Sequence, residues 1–251
     1  MASLSGKTAV ILGASGEANF GTAIARRLAQ EGANVVVSAR RREPLEALAD
    51  EIGGLAVPCD VTNESQIARL FSTAGEQSGG VDIAVFSAGI HAANAIAELT
   101  AEDIRPTLEV SFVGALLFFK YAAAAMENGG SVITVSSLTA RIPGPGLAVY
   151  SGTRAGIDYA IRVAAQEYGE RGIRFNSIAA GLIETDMTSM LFAMDGVVDG
   201  YIAETPVGRM GTLDDMAEAA LYLADDKRSG FINAQVLDLA GGQQTGHLPR
   251  I

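Results

Sequence analysis

Three residues near the middle of the chain have types and spacing that suit proton chemistry on an oxygen. Ser137 precedes Tyr150 by thirteen positions, and Arg154 follows that tyrosine by four. Four apart on a predicted helix, Tyr150 and Arg154 share one of its faces. A phenol with an ordinary pKa of about 10 is a poor base at neutral pH, and a fixed positive charge nearby favours its phenolate. Arginine supplies that charge, and its planar fork can hold ligand hydroxyls, but it cannot give up its proton at any workable pH. Onward release of a proton therefore needs water or a ligand hydroxyl. The plain alternatives are a helix tyrosine capping a core, a strand-end serine and a surface cation.

The elements that must position these residues alternate along the chain. Apolar β-formers, "TAVILG" (Thr8–Gly13), lead into a helical segment at Gly21–Gly32. The pattern repeats with strands at Ala33–Ala39, Leu55–Val61 and Val81–Gly89, the last followed by a long helical stretch ending near Asn128. "GSVITVSS" (Gly130–Ser137) precedes the helix of Tyr150 and Arg154, and "IRFNSIAAG" (Ile173–Gly181) leads to a variable region. A helix from about Thr212 to Ala224 and the strand "QVLDLAGG" close the series. Strands that are apolar without a break are covered on both faces, as in a parallel sheet. Regular alternation with helices predicts an α/β fold with a doubly wound, Rossmann-type parallel sheet of about seven strands. With no linker or repeat, residues 1–251 read as a single domain.

The first predicted strand ends in "GASGEANFGTAIA", with Gly13, Gly16 and Gly21 before a helix. Glycines permit a tight turn and close approach of backbone to phosphate, and the helix offers free N–H groups to an anion. The second strand ends in Ala39-Arg40, where a site for an unphosphorylated ribose usually carries an acid. Arg40, with Arg41, can instead pair with a 2′-phosphate. Asp60, in "CDV" at the end of the third strand, can accept from an adenine amino group or serve as an ordinary strand-end aspartate. Cys59 reads as a buried apolar residue.

Bulk composition narrows the classes. The chain has 251 residues, 49% hydrophobic, with mean hydropathy +0.25, net charge −11 and pI of about 4.6. That charge argues against nucleic acid or anionic membrane as partner, and no apolar run reaches the roughly 18 residues of a membrane span. One cysteine excludes an intrachain disulfide framework, and no export signal is apparent at the N-terminus, so a cytoplasmic location is expected. His91 and His247 form no metal set with the scattered carboxylates. His91 reads as a loop residue that can border the pocket, His247 as part of a tail that can reach a neighbouring subunit.

Taken together, the glycine turn, "CDV", "SAG" at Ser87–Gly89, Ser137 with Tyr150, "AAGLIETDM" and "TPVGRMGTLDDMAEAALYLA…AGG" resemble the short-chain dehydrogenase/reductase family from end to end. The resemblance implies a nicotinamide cofactor across the carboxyl ends of the strands, interconversion of alcohols and carbonyls, and a tetrameric or dimeric assembly. Carried over, Tyr150 is the acid/base and Ser137 orients the substrate oxygen, while Arg154 stands where a lysine usually binds the nicotinamide ribose. Ser111 stands where an asparagine usually helps hold a relay water. The same resemblance places Gly13, Ser15, Gly16, Phe20, Gly21 and Arg40 along the cofactor, followed by Asp60, Val61, Ala88 and Gly89. Gly181, Ile183 and Thr185 complete that lining with Tyr150 and Arg154. NADP(H) is expected over NAD(H), with no metal.

The glycine turn is two residues longer than usual, much like that of divergent enoyl reductases, which leaves open whether Gly16 or the Asn19–Phe20 backbone meets the pyrophosphate. "FSAG" replaces the common "NNAG", and Ala180 replaces a usual proline. Serine, tyrosine and arginine at this spacing are also the constellation of halohydrin dehalogenases, which resemble the same fold and bind no dinucleotide. The phenylalanine-x-glycine spacing of that branch is absent, since Phe20 and Gly21 are adjacent, and "ARRR" with "CDV" keeps a place for an adenosine. A non-catalytic dinucleotide-binding protein is the third reading.

Residues of about 185–207 form a lid in this family. Met187, Met190, Leu191, Phe192 and Met194 make it apolar and adaptable. Met187, Leu191 and Phe192, with Ser137 and Tyr150, are the expected contacts to a hydrophobic ketone or secondary alcohol; a lid simply packed on the body is the alternative. Asp186 is expected to cap the lid helix.

Overall fold

A computed structural model describes residues 2–91 and 93–246; His247 lies outside the described residues. Seven strands join one sheet in the order β3-β2-β1-β4-β5-β6-β7, every neighbouring pair parallel. The first half runs β1 (Thr8–Leu12), α1 (Phe20–Gln30), β2 (Asn34–Ser38), α2 (Arg42–Ile52), β3 (Leu55–Ala56), α3 (Glu64–Ser78) and β4 (Ile83–Phe86). Then come α4 (Ala101–Leu108), α5 (Gly114–Ala125), β5 (Gly130–Ser137) and α6 (Ala148–Tyr168). β6 (Ile173–Ala180), α7 (Ser189–Phe192), α8 (Val197–Glu204), α9 (Leu213–Ala224), α10 (Asp226–Ser229) and β7 (Val236–Leu239) complete the chain.

Alternation along β1 sends Val10 and Leu12 to one face and Ala9 and Ile11 to the other. On the first face they meet α3, α5 and α6, where Phe118 lies edge-on to Phe71 and Phe86 at 5.0 and 5.4 Å. Truncating such a buried ring to alanine costs about 3–5 kcal/mol. On the second face Ile24 and Leu28 of α1, Leu45 of α2 and Leu221 of α9 complete the cover. Helix starts are fixed by side chains: Asn19 accepts from Thr22 N at 2.8 Å, and Thr212 with Asp215 forms a reciprocal capping box on α9.

Two departures from the sequence reading have local causes. The third strand, expected over Leu55–Val61, pairs regularly only at Leu55–Ala56; it is the edge of the sheet, and Pro58 turns its missing N–H to the open side. Val57 and Cys59 still donate to Val37 and Ala39, so the chain keeps running beside β2. The long helical stretch is not uniform: Glu109–Val113 is a π-turn, in which Gly114 N–H reaches back five residues to Glu109. The continuous stretch Ala101–Ala125 has the length and composition of a membrane span, yet α5 within it packs on α3 and the core through Phe118 and Ala122.

The strand order reverses between β1 and β4, and a crevice opens there at the carboxyl ends of the strands, where ligands bind in open α/β sheets.

Candidate functional site

The crevice is a cleft of about 500 Å³ whose floor is the turn after β1. Gly13 has φ +105°, and a Cβ there would fall 2.7 Å from Ala88 N, so only glycine lets the ends of β1 and β4 come this close. Gly21 presses on the same turn, its Cβ direction ending 2.5 Å from Gly13 O, and lies behind the cleft. Gly13, Ser15, Gly16 and Phe20 line one wall; Val61, Ala88 and Gly89 line the other. Helix α1 begins at Phe20 with Asn19 as its N-cap, so its first free N–H groups open onto this cleft.

Gly16 has a different neighbour. A Cβ on it would overlap the Asp186 carboxylate, and Asp186 N–H donates to Ala18 O at 2.8 Å. The lengthened turn is thus tied to the root of the lid. This corrects the expectation that Asp186 caps a helix: α7 starts after Thr188, and the Ala18 bond turns the Asp186 side chain towards Gly16 instead.

At the outer end of the cleft, Arg40 and Arg41 are exposed and both line it. The Arg41 guanidinium donates to Ser15 O at 2.5 Å. Asp60 is held below the usual carboxylate range, first by hydrogen bonds from Thr62 N and Oγ1 and also by Arg40. Its neighbours Cys59 and Val61, rather than Asp60 itself, form the wall. Burial pushes the Cys59 thiol up to about 11, which suits a packing residue.

Ser137, Tyr150 and Arg154 stand on β5 and α6, and none of them is among the residues that line this cleft; Arg154 reaches its edge at Gly89. Ser137 ends β5, and its Oγ accepts from Thr139 N at 3.2 Å and Thr139 Oγ1 at 3.0 Å. Tyr150 stands in the first turn of α6, and the Arg154 guanidinium lies 5.1 Å from its ring centroid. Arg154 is only 5% exposed; Nη1 donates to Val135 O at 3.0 Å, and Nε has no partner. The guanidinium fits because Gly89 has no side chain: a Cβ there would overlap Arg154 Nη2. Ser111 sits in the π-turn with its hydroxyl buried and without a partner, while Val110 beside it faces the cleft.

Two residues acquire roles that sequence reasoning missed. The His91 ring lies 5.2 Å from that of Tyr150, placing an imidazole against the phenol rather than merely near a pocket. Asp158, one turn beyond Arg154, is a carboxyl only 8% exposed, and Ser177 Oγ donates to it at 2.8 Å. Burial raises its pKa, opposed by the Ser177 hydrogen bond, by the nearby Ser136 hydroxyl and by Arg141 and Arg154. The spacing 150, 154, 158 was the available signal for the second.

The lid residues are not gathered at one point. Met187 and Thr185 line the cleft, and Thr185 N and Oγ1 meet Thr188 Oγ1 at 2.9 and 3.0 Å. Phe192 faces a separate hollow with Ile183 and Leu213, and Leu191 is 39% exposed, outside both. Ile183 bridges to Gly211 and Gly181 packs on Ala240, so neither reaches the cleft wall. Among the described residues no group of three or more His, Cys, Asp or Glu is placed to share a metal ion.

A family model described as enoyl-(acyl carrier protein) reductase matches residues 13–244. The chain is 31% identical over 242 residues to carbonyl reductase family member 4 of Danio rerio, covering 95% of this chain and 98% of that one. It is 34% identical over 249 residues to 3beta-hydroxysteroid dehydrogenase 1 of Eggerthella lenta, covering 95% and 94%. A solved short-chain type dehydrogenase/reductase from Mycobacterium ulcerans superposes with TM-score 0.92 at 28% identity, over 98% of this chain and 93% of that one.

Proposed function

The chain belongs to the short-chain dehydrogenase/reductase family, oxidoreductases of CH–OH and C=O groups, and from that premise we propose that it interconverts a hydrophobic ketone and secondary alcohol using NADP(H). What carries the reading is one juxtaposition: the Arg154 guanidinium packed over the Tyr150 ring, on the helix that follows strand-end Ser137.

A nicotinamide dinucleotide held in the cleft would supply the hydride for a carbonyl carbon or accept it from an alcohol. The residues suit such a group. Gly13, Ser15, Ala88 and Gly89 line the cleft with small residues, α1 presents its N-terminus, and Arg40 and Arg41 line the end where a 2′-phosphate would lie. The N-cap at Asn19 favours the Asn19–Phe20 backbone over Gly16 for the pyrophosphate, since Asp186 already lies against Gly16.

In reduction the Tyr150 phenol donates its proton to the substrate oxygen, and in oxidation its phenolate takes one. Both Thr139 donors fall on Ser137 Oγ, leaving the serine's own proton to hold that oxygen. Arg154 supports the phenolate electrostatically and passes no proton onward, so proton exchange with solvent proceeds through water or a ligand hydroxyl. Met187 and the exposed Met190 and Met194 favour bulky apolar substrates. Self-association fits the strip of Leu116, Tyr159 and Val163, which are 40–66% exposed on α5 and α6. The single cysteine suits a reducing, cytoplasmic setting.

NADPH fluorescence titration followed by ketone-dependent loss of reduced-nicotinamide absorbance tests the reading. Saturable NADPH binding and faster turnover of bulky apolar ketones than of small charged ones are expected. Halide release without NADPH binding overturns it.

A further inference from the structure

Tyr150, Arg154 and Asp158 are spaced by four along α6 and so form a row on one face, with both charged members buried. A buried ion normally has a partner that offsets its desolvation. Arg154 has one carbonyl acceptor and a bare Nε; Asp158 has Ser177 on Oδ1 and a buried, unpartnered Oδ2. β5 and β6 face the carboxyl with the Ser136 and Ser177 hydroxyls, which do not titrate in the working range. The charged groups acting on Asp158 are Arg154 from its own helix and Arg141 from the segment after β5, the latter ion-paired with Asp238. In an interior this dry, charges one helical turn apart act on each other with little screening.

A buried arginine cannot be tuned by losing its own proton. Its effect on a neighbouring phenol can be moderated only by another charge. We propose that Asp158 is a positioning residue for the Tyr150 chemistry: its negative charge offsets Arg154 and sets how strongly the guanidinium favours the phenolate. Ser177 serves this role by donating to the carboxylate in a place where burial alone disfavours it, with the Ser136 hydroxyl nearby. The proposal rests on the reading of Tyr150 as the acid/base, and its test is independent of cofactor.

Tyrosinate absorbance is titrated in the full chain and in Asp158→Asn, each blanked against its Tyr150→Phe counterpart so that the other tyrosines cancel. With the negative charge gone, the Tyr150 phenolate develops roughly one pH unit lower. The pH profile of alcohol oxidation moves the same way, and Asp158→Glu, which keeps the charge, stays near the parent. Asp158→Leu replaces the carboxyl by a larger apolar group of the same branching and gives the same shift as the amide, so that the result does not hang on one variant folding. Phenolate development at the parental pH in both neutral variants overturns the proposal. A chain that shows the shift yet binds no NADPH keeps this coupling and loses the proposed cofactor.

Discussion

The two halves of the sheet's carboxyl edge carry positive charge in opposite ways. Beside β1 and β2, Arg40 and Arg41 stand exposed on a loop rim. Beside β5, Arg154 is enclosed by Val135, Gly89 and the Tyr150 ring, with unpartnered hydroxyls of Ser111, Thr134 and Ser136 in the same interior. Exposed cations are screened by salt and meet an anion on its arrival. A buried cation is desolvated once, on folding, and stands ready without reorganisation where charge develops. On the proposed function, one half is organised to capture and the other to react.

Four measurements break or sharpen that contrast. Tyr150→Phe has the largest effect: turnover falls roughly 10²- to 10⁴-fold, while NADPH affinity falls far less, because phenylalanine keeps the ring and removes only the hydroxyl. Equal losses of binding and turnover would merge the two halves. Arg40→Ala weakens NADPH roughly tenfold, the value of one charge-assisted hydrogen bond. NADH binding is unchanged, and the NADPH deficit shrinks at high salt. A loss shared by both dinucleotides would remove Arg40 from the 2′-phosphate role.

Asp186→Asn acts in the opposite sense. It removes a like charge from beside the turn proposed to receive the pyrophosphate, so calorimetric affinity for the dinucleotide rises a few-fold. The smallest effect concerns the pH dependence of folding. Asp158 has its pKa raised by burial in the native state, so the native chain holds that proton to higher pH than the unfolded one. Stability from this group is therefore greatest below the unfolded value of about 3.9 and declines as pH rises through the native one. The Tm of Asp158→Asn accordingly gains on the parent between pH 3.5 and 7; a constant difference would deny that burial disfavours the carboxylate.

The sequence was most legible where function depends on local spacing. Ser137, Tyr150 and Arg154 are set by one strand end and one helix, and the glycine turn and Ala39-Arg40 follow directly from strands. Apolar runs located the strands because a sheet covered on both faces demands them. Legibility failed where packing decides. Asp158 looks like any helix acid until β6 brings Ser177 to it, and His91 is a loop residue until the chain folds it onto Tyr150. Asp186 was misread by a sound local rule about caps, because a contact more than 160 residues back along the chain outweighed it. The π-turn around Ser111 leaves no mark in apolar periodicity, since its flanking helices continue the same stripe.

The hydrogen bond from Asp186 to Ala18 makes the two extra residues of the first turn more than padding. They carry the acceptor that the segment after β6 uses, so two distant stretches of chain meet on one wall of the cleft. Trimming the turn to ordinary length would remove that acceptor, and grafting either part alone into a shorter-looped relative would transplant only half a latch.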